Sequence, residues 1–434
     1  MEILNGTQLC SCGKYHNSLL EDCLIGAGVV SQTAELVKKY KGTRAFLLSD
    51  ENTFAAAGSQ VTDTLQNAGI PFSRYIFPRS PKPDEAAVGS AVMHFDASCD
   101  IVIGIGSGVI NDIGKILANI THCPYIIVAT APSMDGYASA TSSMEVDGLK
   151  VSLSSKCANG VIGDTDILKN APRRMLLSGL GDMLAKYVSI CEWRISHLIT
   201  GEYYCAEVAD LIRNAVKKCT ENAAGLLQRD ENAVEAVFEG LVMGGVAMNY
   251  AGLSRPASGV EHYFSHVWDM RGLEFGTNVD FHGIQCAVGT LYATKIYEQL
   301  KNIRPDREKA LAHAQSFDLQ SYFDRLRAFL GKGAEAMIAA EKKDGKYDPA
   351  QHAKRLEVIL SHWEEILQIM DEELLPSTEL EALLTMLDAP KSAADMGIEE
   401  LIVPMTFLAT KDIRDKYVLS RLCWDLGILD EIKL

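Results

Sequence analysis

The chain has 434 residues, more than one ordinary core accommodates, so two domains are expected. Hydrophobic residues at 47% and charged residues at 23% fit a folded globular protein and exclude a disordered or fibrous one. A net charge of −16 argues against nucleic acid or a membrane surface as partner, since both would repel it. No stretch approaches the roughly 18 apolar residues of a membrane helix, and MEILNGTQLCSCGKYH lacks the layout of a secretory signal. The cytoplasm is the expected location. The 11 cysteines are odd in number and scattered, which reads as reduced thiols rather than a disulfide framework. Cys10, Cys12 and His16 have metal-ligand chemistry but not the CxxC spacing of a structural zinc site, and a plain hairpin is the favoured reading.

Taken in chain order, VSQTAELVKKYKG (30–42) predicts a helix ending at a glycine, and AFLLS (45–49) a buried strand. IVIGIG (101–106) and YIIVAT (125–130) predict two more strands. Apolar strands alternating with helices imply a parallel sheet covered on both faces. After Pro172 the texture becomes helical, as in 202–227 and 231–252. The expected division is therefore an α/β domain over 1–172 that binds a dinucleotide. An all-helical domain over 173–434 would bind metal and substrate.

IVIGIGSGVINDIGK sets Gly104, Gly106, Ser107 and Gly108 between a strand and a helix, where backbone N–H groups and the helix dipole suit a phosphate. Asp50 closes the earlier strand, placed to accept from ribose hydroxyls. In the usual Rossmann order the acid follows the glycines, whereas here it precedes them. Thr130 and Ser133, in ATAPSMDG, are further donors for a dinucleotide. In the helical half, Asp182 is followed one turn later by Lys186, His262 and His266 share a helix face, and His282 opens the next helical stretch. One carboxylate with two or three imidazoles describes a catalytic divalent site with an open position.

Together these motifs resemble the superfamily of iron-type alcohol dehydrogenases, glycerol dehydrogenase and dehydroquinate synthase. GIGSGVINDIGK, TAPSMDGYAS, GDMLAKY and SRPASGVEHYFSH are most similar to bacterial-type sn-glycerol-1-phosphate dehydrogenases. The resemblance implies a dehydroquinate synthase-like fold, with a Rossmann-like parallel sheet ahead of an all-helical domain. It implies metal ligands Asp182, His262 and His282, with His266 lining the substrate pocket and Asp135 touching substrate hydroxyls. NAD or NADP would be held by Asp50, the run Gly106, Ser107, Gly108, Asn111 and Asp112, and by Thr130, Ser133 and Ser139. Iron-type relatives carry a histidine where this chain has Lys186, so one zinc, or else nickel, is expected in place of iron. The implied reaction is reversible reduction of dihydroxyacetone phosphate to sn-glycerol 1-phosphate. Lys186 and Arg255 are candidates for the substrate phosphate, and a homo-oligomer, dimer or larger, is expected. The rivals are a glycerol dehydrogenase acting on the unphosphorylated polyol and a cyclising lyase like dehydroquinate synthase.

Overall fold

The computed structural model describes residues 9–434. The chain forms two compact units, one of residues up to Met183 with Glu207–Ser254, the other Leu184–Ala206 with Arg255–Leu434. The change of texture at Pro172 and the parting of the units do not coincide. The boundary falls inside the helix that begins at Arg173, and residues 207–254, although helical, group with the sheet. Among the described residues, no helix is long and apolar enough to cross a membrane.

The first unit is built on six parallel strands: β1 (Asp22–Gly26), β2 (Ala45–Asp50), β3 (Phe72–Phe77), β4 (Ile101–Gly106), β5 (Tyr125–Ala129) and, after a hairpin, β8 (Gly160–Asp164). Their order is β1-β8-β5-β4-β2-β3. Four of the six, β2, β4, β5 and β8, are buried at every residue, as a sheet covered on both faces requires. The helices α1 (Thr33–Lys39), α2 (Ser59–Asn67), α3 (Glu85–His94) and α4 (Gly108–Thr121) connect the strands. The hairpin β6 (Thr141–Val146) and β7 (Leu149–Ser154) turns at Asp147 and Gly148, both with φ positive, which is the Asp-Gly turn that suits strand twist.

The strand order explains why the acid precedes the glycines. From β2 the chain moves outward to β3, then returns to lay β4 on the other side of β2 and continues through β5 to β8. The neighbours β2 and β4 thus feed connections in opposite directions, and the crevice beyond their carboxyl ends is the switch point where α/β sheets take ligands. Asp50 ends β2 and Gly106 ends β4, so residues remote in sequence meet on one edge.

The same unit contains the first part of α5 (Arg173–Thr200), together with α6 (Ala206–Asn222) and α7 (Glu231–Ala251). The second unit continues α5 and adds α8 (Val260–Phe275) and α9 (His282–Leu300), followed by shorter helices from Arg307–Ser316 to Leu419–Asp425. Its core joins Val188, Phe264, Trp268, Val288, Phe407 and Trp424. The stretch beyond residue 300, without a motif in sequence, folds around a buried ionic group: Asp412 accepts from Tyr322 (2.6 Å) and Tyr347 (2.7 Å) and pairs with Arg421 and Lys411.

Two glycines near the nucleotide loop are set by packing. A Cβ at Gly104 would sit 2.3 Å from the Tyr125 hydroxyl, and one at Gly114 2.5 Å from it. That hydroxyl is buried without a hydrogen-bond partner among the described residues. Gly104→Ala is therefore expected to destabilise by about 1–3 kcal/mol through overpacking. Tyr125→Phe alone should be neutral or stabilising, because it removes an unsatisfied buried group. In the double variant the cost of Gly104→Ala should fall by more than half, a coupling that denaturant unfolding of the four proteins measures.

Candidate active site

Within the first unit the site is assembled around the segment from Thr130 to Ser139. The Thr130 N–H donates to the Gly106 carbonyl (3.0 Å), joining the ends of β5 and β4. Glycines let the helices approach this segment. A Cβ at Gly179 on α5 would lie 1.9 Å from the Pro132 carbonyl oxygen, and one at Gly245 on α7 would lie 2.8 Å from the Ala138 Cβ. On the same helix, a Cβ at Gly244 would lie 3.3 Å from the Asp135 Cβ. Ser178 donates to the Ser133 carbonyl (2.8 Å), Asn249 to that of Ala138 (2.9 Å), and the Asp135 N–H to Asp182 Oδ2 (2.9 Å). Asp182 is completely buried, while Asp135 keeps partial exposure. A carboxylate so enclosed needs charge-assisted partners or a cation.

Along the nucleotide edge, Asp50 caps the turn that follows β2: its Oδ1 accepts from the Thr53 N–H (2.8 Å), and its own N–H donates to Thr53 Oγ1 (3.0 Å). Ser107 is the N-cap of α4, yet its side chain makes no capping bond. The helix N-terminus therefore keeps donors pointing outward. Gly106 is a packing glycine, since a Cβ there would lie 2.5 Å from that of Ile110. Gly108 meets nothing closer than Met134 at 3.5 Å. Three of the expected cofactor residues are engaged within the protein. Asn111 donates to the Gly136 carbonyl (3.0 Å), Asp112 pairs with the fully buried Lys115 (2.9 Å), and the Ser139 hydroxyl donates to the Thr141 carbonyl (3.0 Å). Burial raises the Asp112 carboxyl above its usual range, against the pull of Lys115. These contacts shape the loop from inside.

In the second unit α8 and α9 lie side by side and bring His262 and His282 together, with ring centroids 5.0 Å apart at 63°. His262, His282 and Cys286 each offer a ligand atom within 4.8 Å of the others. His262 Nδ1 is 2.7 Å from Glu261 Oε1, and His282 Nδ1 is 3.0 Å from Ser265 Oγ. A histidine whose Nδ1 is held by a carboxylate or hydroxyl presents Nε2 as a ligand of set tautomer. His266 lies over His282, centroids 6.1 Å apart. Glu261 and Ser265 had no motif to reveal them, although an acid beside the first histidine was the available signal. Glu192, equally silent in sequence, accepts from the Val260 N–H (2.9 Å) and the Leu419 N–H (2.8 Å). Burial, with Glu261 beside it, pushes the Glu192 carboxyl up to about 8.

The two expected phosphate ligands are both buried and hydrogen-bonded within the protein. Lys186, fully buried, donates to the Ala257 carbonyl (3.0 Å). Arg255 is engaged within the protein: its guanidinium is buried, with Nε on Glu202 Oε1 (2.9 Å), Nη2 on Glu202 Oε2 (2.7 Å) and Ser196 Oγ (3.0 Å), and Nη1 on the Tyr417 carbonyl (2.9 Å). Four of its five N–H donors are thereby used within the protein.

Residues 24–172 match the family described as iron-containing alcohol dehydrogenase. A protein of Bacillus velezensis named glycerol-1-phosphate dehydrogenase, NAD(P)+ type, is 32% identical over 305 residues, spanning 68% of this chain and 77% of that protein. A protein of the same name from Methanosarcina barkeri is 33% identical over 275 residues, 63% of this chain and 75% of its own. The solved structure of an archaeal halo-thermophilic alcohol dehydrogenase from a Red Sea brine pool superposes with a TM-score of 0.63 at 16% identity, covering 96% of this chain and 99% of that one. The chain belongs to the iron-containing alcohol dehydrogenase family, and within it to the glycerol-1-phosphate dehydrogenases.

Arg255→Met is expected to lower stability by about 2–4 kcal/mol, less than loss of a fully buried pair because Glu202 retains some contact with water. Thermal unfolding measures this. Variant protein that remains folded should keep its KM for substrate, whereas a rise in KM with unchanged stability would restore Arg255 to the substrate site.

Proposed function

We propose that the chain catalyses the reversible, NAD(P)-dependent and metal-dependent reduction of dihydroxyacetone phosphate to sn-glycerol 1-phosphate. The observation that carries the reading is the His262–His282 pair, each imidazole oriented from behind by Glu261 or Ser265. Family membership supports the substrate. Asp182, His262 and His282 are the proposed ligands of one divalent ion, zinc ahead of nickel. A buried carboxylate and two imidazoles match the three-ligand, open-position pattern of catalytic zinc. The residue one turn beyond Asp182 is a lysine donating to a carbonyl, which suits three protein ligands better than four. Such an ion supplies Lewis acidity toward the substrate carbonyl.

The remaining roles fall to the chain itself. The open N-terminus of α4 at Ser107 and Gly108 suits the cofactor pyrophosphate, and the lack of any protein atom crowding Gly108 is explained by close approach of a ligand. Asp50, across the switch point, is the proposed ribose acceptor, with Thr130 and Ser133 nearer the nicotinamide end. Asn111, Asp112 and Ser139 act from beneath, by fixing the shape of residues 136–141. Asp135 is half-buried, its N–H on the Asp182 carboxylate, and is proposed to hold the substrate hydroxyl. His266, over His282, lines the substrate side and restricts which face of the ketone meets the nicotinamide.

Metal content and rate test the ligand set together. His282→Ala should bind about one equivalent less metal and lose on the order of 10³-fold in kcat/KM, equivalent to about 4 kcal/mol. Retention of both would remove His282 from the site.

The engagement of Arg255 favours, taken alone, the rival in which the substrate is the unphosphorylated polyol. Paired steady-state curves for dihydroxyacetone phosphate and dihydroxyacetone decide between them. The expected preference for the phosphate ester is about 10⁴-fold in kcat/KM, because a site built for a charged group rejects an analogue that leaves it unpaired. Lys186→Ala should reduce that preference. Similar rates with both ketones identify a glycerol dehydrogenase, and turnover of a sugar phosphate without net cofactor reduction identifies the cyclising lyase.

A further inference from the structure

The turn at residues 10–16 carries a second set of ligand-type side chains that the proposed reaction does not use. Cys10, Cys12 and His16 each offer a ligand atom within 4.8 Å of the others. The backbone is shaped for this. The Cys10 N–H donates to the Lys14 carbonyl (3.0 Å), the Gly13 N–H to the Cys10 carbonyl (2.9 Å), and Gly13 takes φ +82°, which favours glycine. Within the turn the Cys12 N–H points at Cys10 Sγ (3.4 Å). A backbone donor aimed at sulfur stabilises the thiolate form that a metal requires.

His16 is oriented by the same logic as a metal-bound imidazole. Its Nδ1 lies 2.9 Å from the Tyr250 carbonyl, an acceptor only, so Nδ1 carries the proton and the Nε2 lone pair is directed at Cys12 Sγ, 3.4 Å away. That separation has a geometric meaning. Bonds of about 2.3 Å to sulfur and about 2.0 Å to nitrogen, opened to the tetrahedral angle, place the two ligand atoms about 3.5 Å apart. Ser11 anchors the turn to Glu207 through its N–H (3.3 Å) and hydroxyl (3.0 Å).

We propose that Cys10, Cys12 and His16 bind a zinc ion, distinct from the catalytic metal, that fixes the turn at residues 10–16. Two thiolates and one imidazole are ligands of the kind zinc prefers. The ion would stabilise the folded turn, because the unfolded chain offers no such preformed set of ligands. The CxC spacing works here because the left-handed Gly13 turns the chain tightly.

The inference is independent of the proposed reaction, and metal counting on the full chain separates the two. Zinc per chain is measured by elemental analysis after exhaustive dialysis in wild type, Cys12→Ser, Cys12→His, His282→Ala and the double variant Cys12→Ser with His282→Ala. The expected counts are two, one, two, one and none. Cys12→His restores a ligand at the same place, so recovery of zinc there excludes a mere folding defect in Cys12→Ser. Cys12→Ser should also lower the melting temperature while retaining most of kcat. One zinc in wild type that Cys12→Ser removes and His282→Ala spares would support this site and count against the catalytic one. Equal zinc in wild type and Cys12→Ser overturns the proposal, as does an intramolecular disulfide between Cys10 and Cys12 in freshly reduced, zinc-supplied protein.

Discussion

The structure of the first unit depends on how closely a bare backbone can approach a helix. The Pro132 carbonyl occupies the place where a side chain at residue 179 would begin, and Ala138 sits against the bare face of α7 at Gly245. With glycine at these positions, the segment after β5 is gripped between two helices instead of looping freely over the sheet. From that grip follow the bond from the Asp135 N–H to Asp182 and the position of Ser133. A single methyl group at residue 179 would have to displace backbone, which close-packed interiors resist far more strongly than a side-chain adjustment.

The glycines around the nucleotide edge divide by what they avoid. Gly104 and Gly114 leave room for one tyrosine, and Gly106 leaves room for Ile110. Only Gly108 has no protein atom crowding it, and it stands at the helix N-terminus whose N-cap serine leaves the first turn uncapped by a side chain. Most glycines of this strand-to-helix turn are therefore set by packing, while one leaves the helix N-terminus uncrowded.

In the second unit, charge is buried where catalysis and stability both need rigid geometry. Glu261 holds His262, and Glu192 holds the backbone at Val260 and Leu419, so the start of α8 is fixed by two carboxylates rather than by a hydroxyl cap. Arg255 is locked by Glu202, Ser196 and Tyr417 just before that helix. Interactions of this kind cost desolvation and return specificity of position. They set the ring orientation of His262 more tightly than packing alone.

Much of this was legible from the chain alone, because its physical causes are local. Apolar runs of strand length, a glycine turn between strand and helix, and histidines four apart on a helix all follow from neighbours in sequence, and they led to the right fold and family. Asp50 could be read from the sequence as a candidate ribose acid at a strand end, but its place beside the end of β4 depends on a sheet order that no local pattern encodes. Arg255 shows the opposite limit. A lone arginine before a helix reads as an anion ligand, and only the tertiary structure reveals Glu202, Ser196 and Tyr417 already bound to it. Asn111 and Asp112 were likewise singled out from a motif, and only the folded chain shows their contacts with Gly136 and Lys115. Residue type and spacing determine which chemistry a side chain can perform. Which partner it meets depends on contacts between distant segments, and those exist only once the chain has folded.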